Sequence, residues 1–383
     1  MLEIQAVRDF AALHDIEKAW SALHHSAQPG TPFEHPAWAA TWARQFVRDG
    51  ELECVAVRDR DRGGELIGFA PLYRRRCSVA GIGASWIQPL GTGRRQALTE
   101  VVQVLSLPNR TRDVLRAVVN HLEGLPDWNW IQLSLAPDQG WFVPQWLQDR
   151  AGSLIEHRAA RPCVVVDPLP ADLTELAGGL KRNVRESVRR ANNRALKVGD
   201  ISLRCETEAD RVVDVLGGLI ALHRKRSKMP GKIAHPDVLA GRPERRFFIE
   251  AVQHLAAHGL ARAHVAEHGG RQIAGQLVLS DGATDYLSIT GLDPEYWELS
   301  LNTLLVYQAL VAAVQEGRRA VNLSTGPDVA KLRWSPRVVT YNDFMVVRGD
   351  PASRWLYGAY AHLGLAVQHH QERGLHRIRG WGG

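Results

Sequence analysis

Disulfide and zinc chemistry find little material in this 383-residue chain, because its four cysteines, Cys54, Cys77, Cys163 and Cys205, stand far apart and form no CxxC pair. A reducing compartment, the cytoplasm, is the simplest expectation. No uncharged apolar run approaches the roughly 20 residues needed to cross a bilayer, which predicts a protein without a transmembrane helix. The opening stretch MLEIQAVRDFAALHDIEKAW carries acidic residues and lacks a basic region followed by an apolar block, so a signal peptide is not expected. A GxSxG elbow and a Ser-His-Asp set are also missing, which argues against a nucleophilic serine. Nor does one sign of charge dominate: 47 Lys and Arg stand against 41 Asp and Glu, for a net charge of +6. That excess is too thin to imply nucleic acid by itself, but it favours an anionic cofactor.

The chain does have the makings of an ordinary globular protein. Hydrophobic residues make up 45% and charged residues 23%, so disorder and fibrous architectures are excluded, and the length suggests two or three units with ample core. Phe10, Leu13, Ile16, Trp20 and Leu23 recur every three or four residues and predict a helix ended by Gln28-Pro29-Gly30. A second helix is predicted from Pro36 to Phe46, with Trp38 and Trp42 packing in the core. LECVAVRDRD and ELIGFAPLYRRR then form a strand pair around Gly63 and Gly64. VVQVLSL, a helix over Val114–Leu122 and WIQLSLA complete a mixed α/β unit to about Pro168.

The second half opens on a helix whose residues Val184, Val188, Ala191 and Ala195 make a narrow apolar stripe, while Arg182, Arg185, Arg189, Arg190 and Arg194 form a basic face. Helices over Asp210–Arg226 and Pro243–His258 flank the polar loop SKMPGKIAHP. An antiparallel hairpin follows, ARAHVAEH and RQIAGQLVLS about Gly269-Gly270, and then the strand TDYLSITGL. The pattern of strand, charged turn and strand in GELIGFAPLYRRR returns in GRQIAGQLVLS, which suggests an internal duplication. From Asp281 the order is strand, polar loop DPEYWELSLN, helix TLLVYQALVAAVQEG, strand AVNLS, loop TGPD, short helix VAKLRW and strand VTYNDFMVV. A helix that starts just after a strand and its loop offers unpaired N–H groups and a positive dipole end, which suit a pyrophosphate. Ser300, Asn302 and Thr303 stand at that start.

FEHPAWAATWARQF, ELIGFAPLYRR, LKRNVRESVRRANNRAL, RQIAGQLVLSDGATDYLSITGLDPEYWELSLNTLLVYQAL and VNLSTGPDVAKLRW together resemble the cellulose-biosynthesis-type acetyltransferase group of the GNAT superfamily, which is related to the Fem-type peptidyltransferases. The matching stretches span most of the chain, from about Pro32 to Val347. The resemblance implies a mixed α/β (α+β) fold of two tandem GNAT-like domains, each a mostly antiparallel twisted sheet flanked by helices. They are expected over residues 1–168 and 169–350, with the donor site in the second, before a helical tail over 351–383. It also implies an acyl-thioester donor, commonly acetyl-CoA, and an amine acceptor. The chain departs from the group twice. Ser300-Leu301-Asn302 stands where the group has Ser-Pro-Gly, and Ala330-Lys331 where it has Tyr-Lys, so no acid role of that tyrosine carries over.

The expected reaction is direct transfer of an acyl group, acetyl foremost, from acyl-CoA or an acyl carrier protein to the amine of a small molecule, sugar or peptide, without a metal. Ser300, Asn302, Thr303, Lys331 and Arg333 are the expected donor-binding residues, the last two pairing with phosphate. His223, before a polar loop, is the candidate base, with Asp285 or Asp293 as its carboxylate partner. Two other readings use the basic helix 181–197. One is a Fem-like transferase that takes its acyl group from charged tRNA; the other is a non-catalytic nucleic-acid-binding module.

Overall fold

The computed structural model describes residues 1–27, 30–79, 81–93, 98–136, 154–229 and 235–362. Gln28, Pro29, the loop centre 230–234 and the tail beyond 362, including Leu363, lie outside the described residues. The first half runs β1 (Leu2–Val7), α1 (Phe10–Ser26), α2 (Pro36–Phe46), β2 (Cys54–Asp59), β3 (Glu65–Ala70), β4 (Leu72–Val79), β5 (Ile82–Pro89), β6 (Leu105–Ser106), α3 (Thr111–Glu123), β7 (Trp130–Leu135) and β8 (Leu154–Val166). Helices α4 (Leu173–Gly179) and α5 (Arg182–Val198) bridge to the second half. That half runs β9 (Ile201–Glu206), α6 (Ala209–Ser227), α7 (Arg242–Ala257), β10 (Ala261–His268), β11 (Arg271–Ser280), β12 (Thr284–Leu292), α8 (Leu301–Gln315), β13 (Ala320–Thr325), the single turn α9 (Val329–Leu332) and β14 (Val338–Val347). A helix over 351–362, α10, closes the described chain.

The same order of elements therefore occurs twice: a strand, two helices, a run of antiparallel strands, a helix, then a strand parallel to the last long strand before that helix. The parallel pairs are β5 with β7 and β12 with β13. One sheet has the order β1-β2-β3-β6, and a ten-stranded sheet has the order β4-β5-β7-β14-β8-β13-β12-β11-β10-β9. The last strand of each half lies against the other half, because β14 pairs with β7 and β8 pairs with β13. The large sheet thus runs through both halves, with β14 and β8 bonded to each other at its centre. VVQVLSL is less regular than the sequence suggests. Only Leu105 and Ser106 form a strand, while Val101, Val102 and Val104 are buried in irregular chain.

Local chemistry explains the helices. Asp9 caps α1 by accepting from the Ala12 N–H at 2.8 Å, and Leu13, Ile16, Trp20 and Leu23 are buried along one face. In α2, Pro36 sits in the first turn and the His35 ring accepts from the Ala37 N–H at 3.1 Å. Trp38 and Trp42 are fully buried, and Trp38 meets Phe247 of α7 edge-on at 5.0 Å, which ties the two halves together. Helix α8 is apolar almost all round because it is a middle layer, covered by the large sheet on one side and by α4 and α5 on the other. The stripe Val184, Val188, Ala191 and Ala195 is what α5 sets against it, leaving the arginines in solvent. On the opposite face of the sheet α6 lies directly on β12. A Cβ at Gly291 would stand 2.7–2.8 Å from Leu222 Cβ, His223 N and Leu219 O, so only glycine permits this approach. The tail begins by packing on the body, with Tyr360 of α10 5.3 Å from Trp86 and 5.1 Å from Trp130. Among the described residues no helix is long and apolar enough to cross a membrane.

Candidate active site

Strands β12 and β13 begin side by side, with Thr284 facing Ala320, Asp285 facing Val321 and Tyr286 facing Asn322. There the pairing ends. β12 continues to Leu292 along β11, and β13 continues to Thr325 along β8. The two parallel strands diverge into a wedge at their C-terminal ends, leaving backbone groups on the facing edges without a ladder partner. In open α/β sheets that is the place where ligands bind.

The N-terminus of α8 belongs to this end of β12. It is reached through a 3₁₀ turn, Pro294–Leu299, and through Ser300, which has the left-handed conformation (φ 57°) and makes no side-chain cap. The first N–H groups of the helix thus keep their positive end uncapped by a side chain. Arg333 reaches the same point, its Nη2 donating to Thr303 Oγ1 at 2.9 Å while its Nε has no partner among the described residues. From α5, Arg194 donates to the Glu298 carbonyl at 2.6 Å and lies 3.5 Å from Ser300 Oγ. Asn302 holds a buried Oδ1 without a hydrogen bond among the described residues. The structure therefore brings Ser300, Asn302, Thr303 and Arg333 together around one helix end. Lys331 stands apart, its ammonium bonded to the Thr325 carbonyl and, at 3.1 Å, to that of Gly326, where it closes the end of β13.

The three acid–base candidates are separated. His223 of α6 is buried, with Nδ1 3.0 Å from the Thr290 carbonyl of β12 and 3.2 Å from His235 Nε2. A carbonyl only accepts, so Nδ1 carries the proton in that contact and Nε2 keeps its lone pair. Burial lowers the pKa of His223, and His235 falls to about 4 for the same reason with Arg226 adding to it. The carboxylate beside Nε2 is Asp237, at 4.0 Å, rather than Asp285 or Asp293. Asp285 sits at the start of β12, five residues or roughly 16 Å of extended strand from Thr290. There it is ion-paired with Arg262 and lies 3.5 Å from Arg318 Nε. Asp293, at the other end, caps the 3₁₀ turn and accepts from Lys225 at 3.0 Å.

Sequence reasoning passed over Glu100. It comes from the first half, yet its carboxyl lies within the electrostatic reach of Ser324, Thr325 and Lys331 of the second. Burial raises its pKa, opposed by Ser324, by the charge of Lys331 and by the Thr325 backbone. Ser324 is held in a left-handed conformation (φ 77°), an uncommon state for a non-glycine residue. Deeper in the seam Glu34 is wholly buried, accepts from the Thr31 N–H at 2.8 Å, and has a pKa pushed well up by burial. The available signal was a charged residue inside the otherwise apolar run LTEVVQVL.

The model of the acetyltransferase (GNAT) domain matches residues 182–332, the segment that contains α5, the wedge, α8 and Arg194. The chain carries a GNAT domain. No curated protein matches the chain. Among solved structures FemX is similar, with a TM-score of 0.62 at 12% identity, covering 92% of this chain and 99% of that one. A conserved protein of unknown function from Bacteroides thetaiotaomicron VPI-5482 has a TM-score of 0.54 at 10% identity, covering 91% and 100%. The C-terminal domain (DUF2156) of a protein assigned as a lysylphosphatidylglycerol synthetase from Agrobacterium fabrum has a TM-score of 0.54 at 11% identity, covering 92% and 97%. These likenesses extend the shared fold from the GNAT domain to nearly the whole chain.

Proposed function

We propose that the protein transfers an acyl group from an acyl thioester, acetyl-CoA foremost, to an amino group of a small molecule, sugar or peptide by direct attack. The observation that carries this reading is the wedge between β12 and β13 with the uncapped N-terminus of α8 at its open end. A pyrophosphate placed there meets helix N–H groups and the guanidinium of Arg333, with Arg194 beside it. An extended pantetheine arm running from that point into the wedge pairs with the free backbone groups of the diverging strands. This puts the thioester carbonyl where a backbone N–H can stabilise the developing oxyanion. His223 fixes the Thr290 carbonyl and so the course of β12 along the wedge. The cofactor supplies only the activated acyl group.

A second reading is favoured by one observation. The exposed basic face of α5 ends, through Arg194, at the same helix terminus, so a charged tRNA lying along α5 would also bring its acyl end to the wedge. Calorimetric titration with acetyl-CoA and with charged tRNA separates the two. On the thioester reading acetyl-CoA binds saturably, and Arg333→Ala weakens it about 10-fold or more, the loss of one charge-assisted hydrogen bond. Absence of acetyl-CoA binding, with steeply salt-dependent tRNA binding, refutes it.

A further inference from the structure

The wedge accounts for one face of α6 only. Leu219, Leu222 and His223 pack on Gly291 of β12. Gly217, Ile220, Ala221, Arg224 and Lys228 recur at intervals of three and four on the other side of the helix and so face away from the sheet. That side is not bare surface. Asp237, Leu239 and Arg245 of α7 stand against it and enclose a groove of about 340 Å³, at the small end of ligand-site volumes.

The floor of the groove is apolar, made by Ile220, Ala221 and buried Leu239. Its rim carries four cations, Arg224, Lys225, Lys228 and Arg245, against one carboxylate, Asp237. Asp237 is already engaged, accepting from the Leu239 N–H at 3.1 Å and lying 3.7 Å from Arg224 Nε, while Lys225 donates to Asp293 at 3.0 Å. Lys228 and Arg245 have no carboxylate partner among the described residues, so two positive charges stay uncompensated. The C-terminal dipole of α6 favours cations on that helix, but Arg245 stands near the N-terminus of α7, where the dipole opposes it. Its Nη1 holds the Leu239 and Ala240 carbonyls at 2.9 and 2.6 Å, which fixes the wall of the groove and leaves Nε and Nη2 without an acceptor among the described residues. Two adjacent glycines make a further contrast. A Cβ at Gly218 would strike Gln272 Oε1 at 2.2 Å, so packing demands glycine there, whereas a Cβ at Gly217 would meet nothing within 4 Å. Glycine inside a helix is destabilising relative to alanine, and no contact requires Gly217; it leaves the groove floor open.

We propose that this groove is a ligand site of its own, which takes a phosphate monoester with a short apolar body. The body covers Ile220, Ala221 and Leu239, and the head lies between Lys228 and Arg245, whose free N–H groups suit paired phosphate oxygens. Two uncompensated charges match a phosphate dianion better than a carboxylate. Because α6 stands between the groove and the wedge, this ligand and an acyl donor bind without excluding each other. Lys225 connects the two places: it lines the groove, and its ammonium holds Asp293, which caps the 3₁₀ turn leading into α8.

The test is calorimetric titration of the full chain with hexyl phosphate, methyl phosphate, hexanoate and hexanol at about pH 7.5, where the phosphate is dianionic. Hexyl phosphate should bind saturably. Methyl phosphate keeps the head without the body, hexanoate keeps the body with a single charge, and each should bind about 10-fold or more weakly, with no saturable binding of hexanol. Lys228→Ala should weaken hexyl phosphate about 10-fold, and Gly217→Phe, which fills the floor, should abolish its binding. Arg333→Ala, at the start of α8, should leave it unchanged. Lys228 is exposed, so Lys228→Ala carries the test even if Gly217→Phe fails to fold. The proposal is overturned if hexyl phosphate does not bind, if methyl phosphate, hexanoate or hexanol matches it, or if Lys228→Ala leaves its affinity intact. Loss of binding in Arg333→Ala also overturns it, because the anion then sits at the donor site. Acetyl-CoA takes no part in the titrations, so this proposal and the thioester reading fail separately.

Discussion

Replacing Gly291 with alanine adds one methyl group between α6 and β12, and the structure specifies what it would strike. The new Cβ would lie 2.7 Å from Leu222 Cβ, 2.8 Å from His223 N and 2.8 Å from Leu219 O. Ordinary carbon contacts are about 3.5–4.0 Å, so α6 must lift from the strand by about 1 Å. Two of the three atoms are backbone, which cannot rotate away. The expected cost is that of overpacking, about 1–3 kcal/mol, or a fall in Tm of very roughly 2–10 °C for a chain of this size. Gly217, one to two turns earlier on the exposed side of the same helix, has nothing within 4 Å of its would-be Cβ. There the same substitution should stabilise by about 0.5–1 kcal/mol, through the lower backbone entropy of the unfolded chain. Urea unfolding of both variants measures the contrast. Lifting α6 also pulls His223 from the Thr290 carbonyl, so Gly291→Ala should weaken donor binding and Gly217→Ala should not. If Gly291→Ala is as stable as wild type, or if both variants shift the same way, the close approach of α6 to β12 is wrong.

Other outcomes follow from particular groups. Asp285→Ala takes from buried Arg262 one of its two carboxylate partners, leaving Glu316, and should cost about 1–3 kcal/mol in urea unfolding while sparing donor affinity, because the pair lies at the far end of β12. His24 and His35 are buried neutral, with pKa values lowered by burial to about 4 and about 2. Because the folded values lie below the unfolded one, their stabilisation is complete above pH ~6.5. It is lost as the pH falls from there towards those values, at up to about 1.4 kcal/mol per pH unit per histidine. Unfolding curves at pH 7, 6 and 5 should show that loss, and it should be shallower in His24→Gln. Arg333→Ala should raise the acetyl-CoA dissociation constant about 10-fold without changing the midpoint of unfolding, since among the described residues its guanidinium holds the Thr303 hydroxyl and rests on Trp334.

What could be read in advance was whatever a short window encodes. The α1 stripe, Trp38 and Trp42 in the core, and the β10–β11 hairpin around Gly269 and Gly270 rest on periods of 3.6 and 2 and on turn chemistry, and each stands as the pattern implied. The exchange of β8 and β14 between the halves was hidden because strand register over nearly 200 residues leaves no local trace. For the same reason Asp285 and Asp293 could be seen as polar residues at the ends of β12, but their pairing with Arg262 and Lys225 could not. Ser300 to Thr303 were legible as a helix start following a strand and a loop, which is a local signal. Glu100 was not, because its surroundings at Ser324 come from 224 residues further along the chain. Its one local mark, a charge in an apolar run, says only that something unusual is buried nearby.

Hydrogen exchange of backbone amides, measured by mass spectrometry with and without saturating acetyl-CoA, tests the central claim most directly, since it reads the place of binding without an acceptor. The account predicts slowed exchange confined to 287–292 on β12, to 300–303 at the start of α8 and to 322–326 at the end of β13. Unchanged exchange in those three segments at saturation, or protection centred on α6, α7 or the first half, would contradict it.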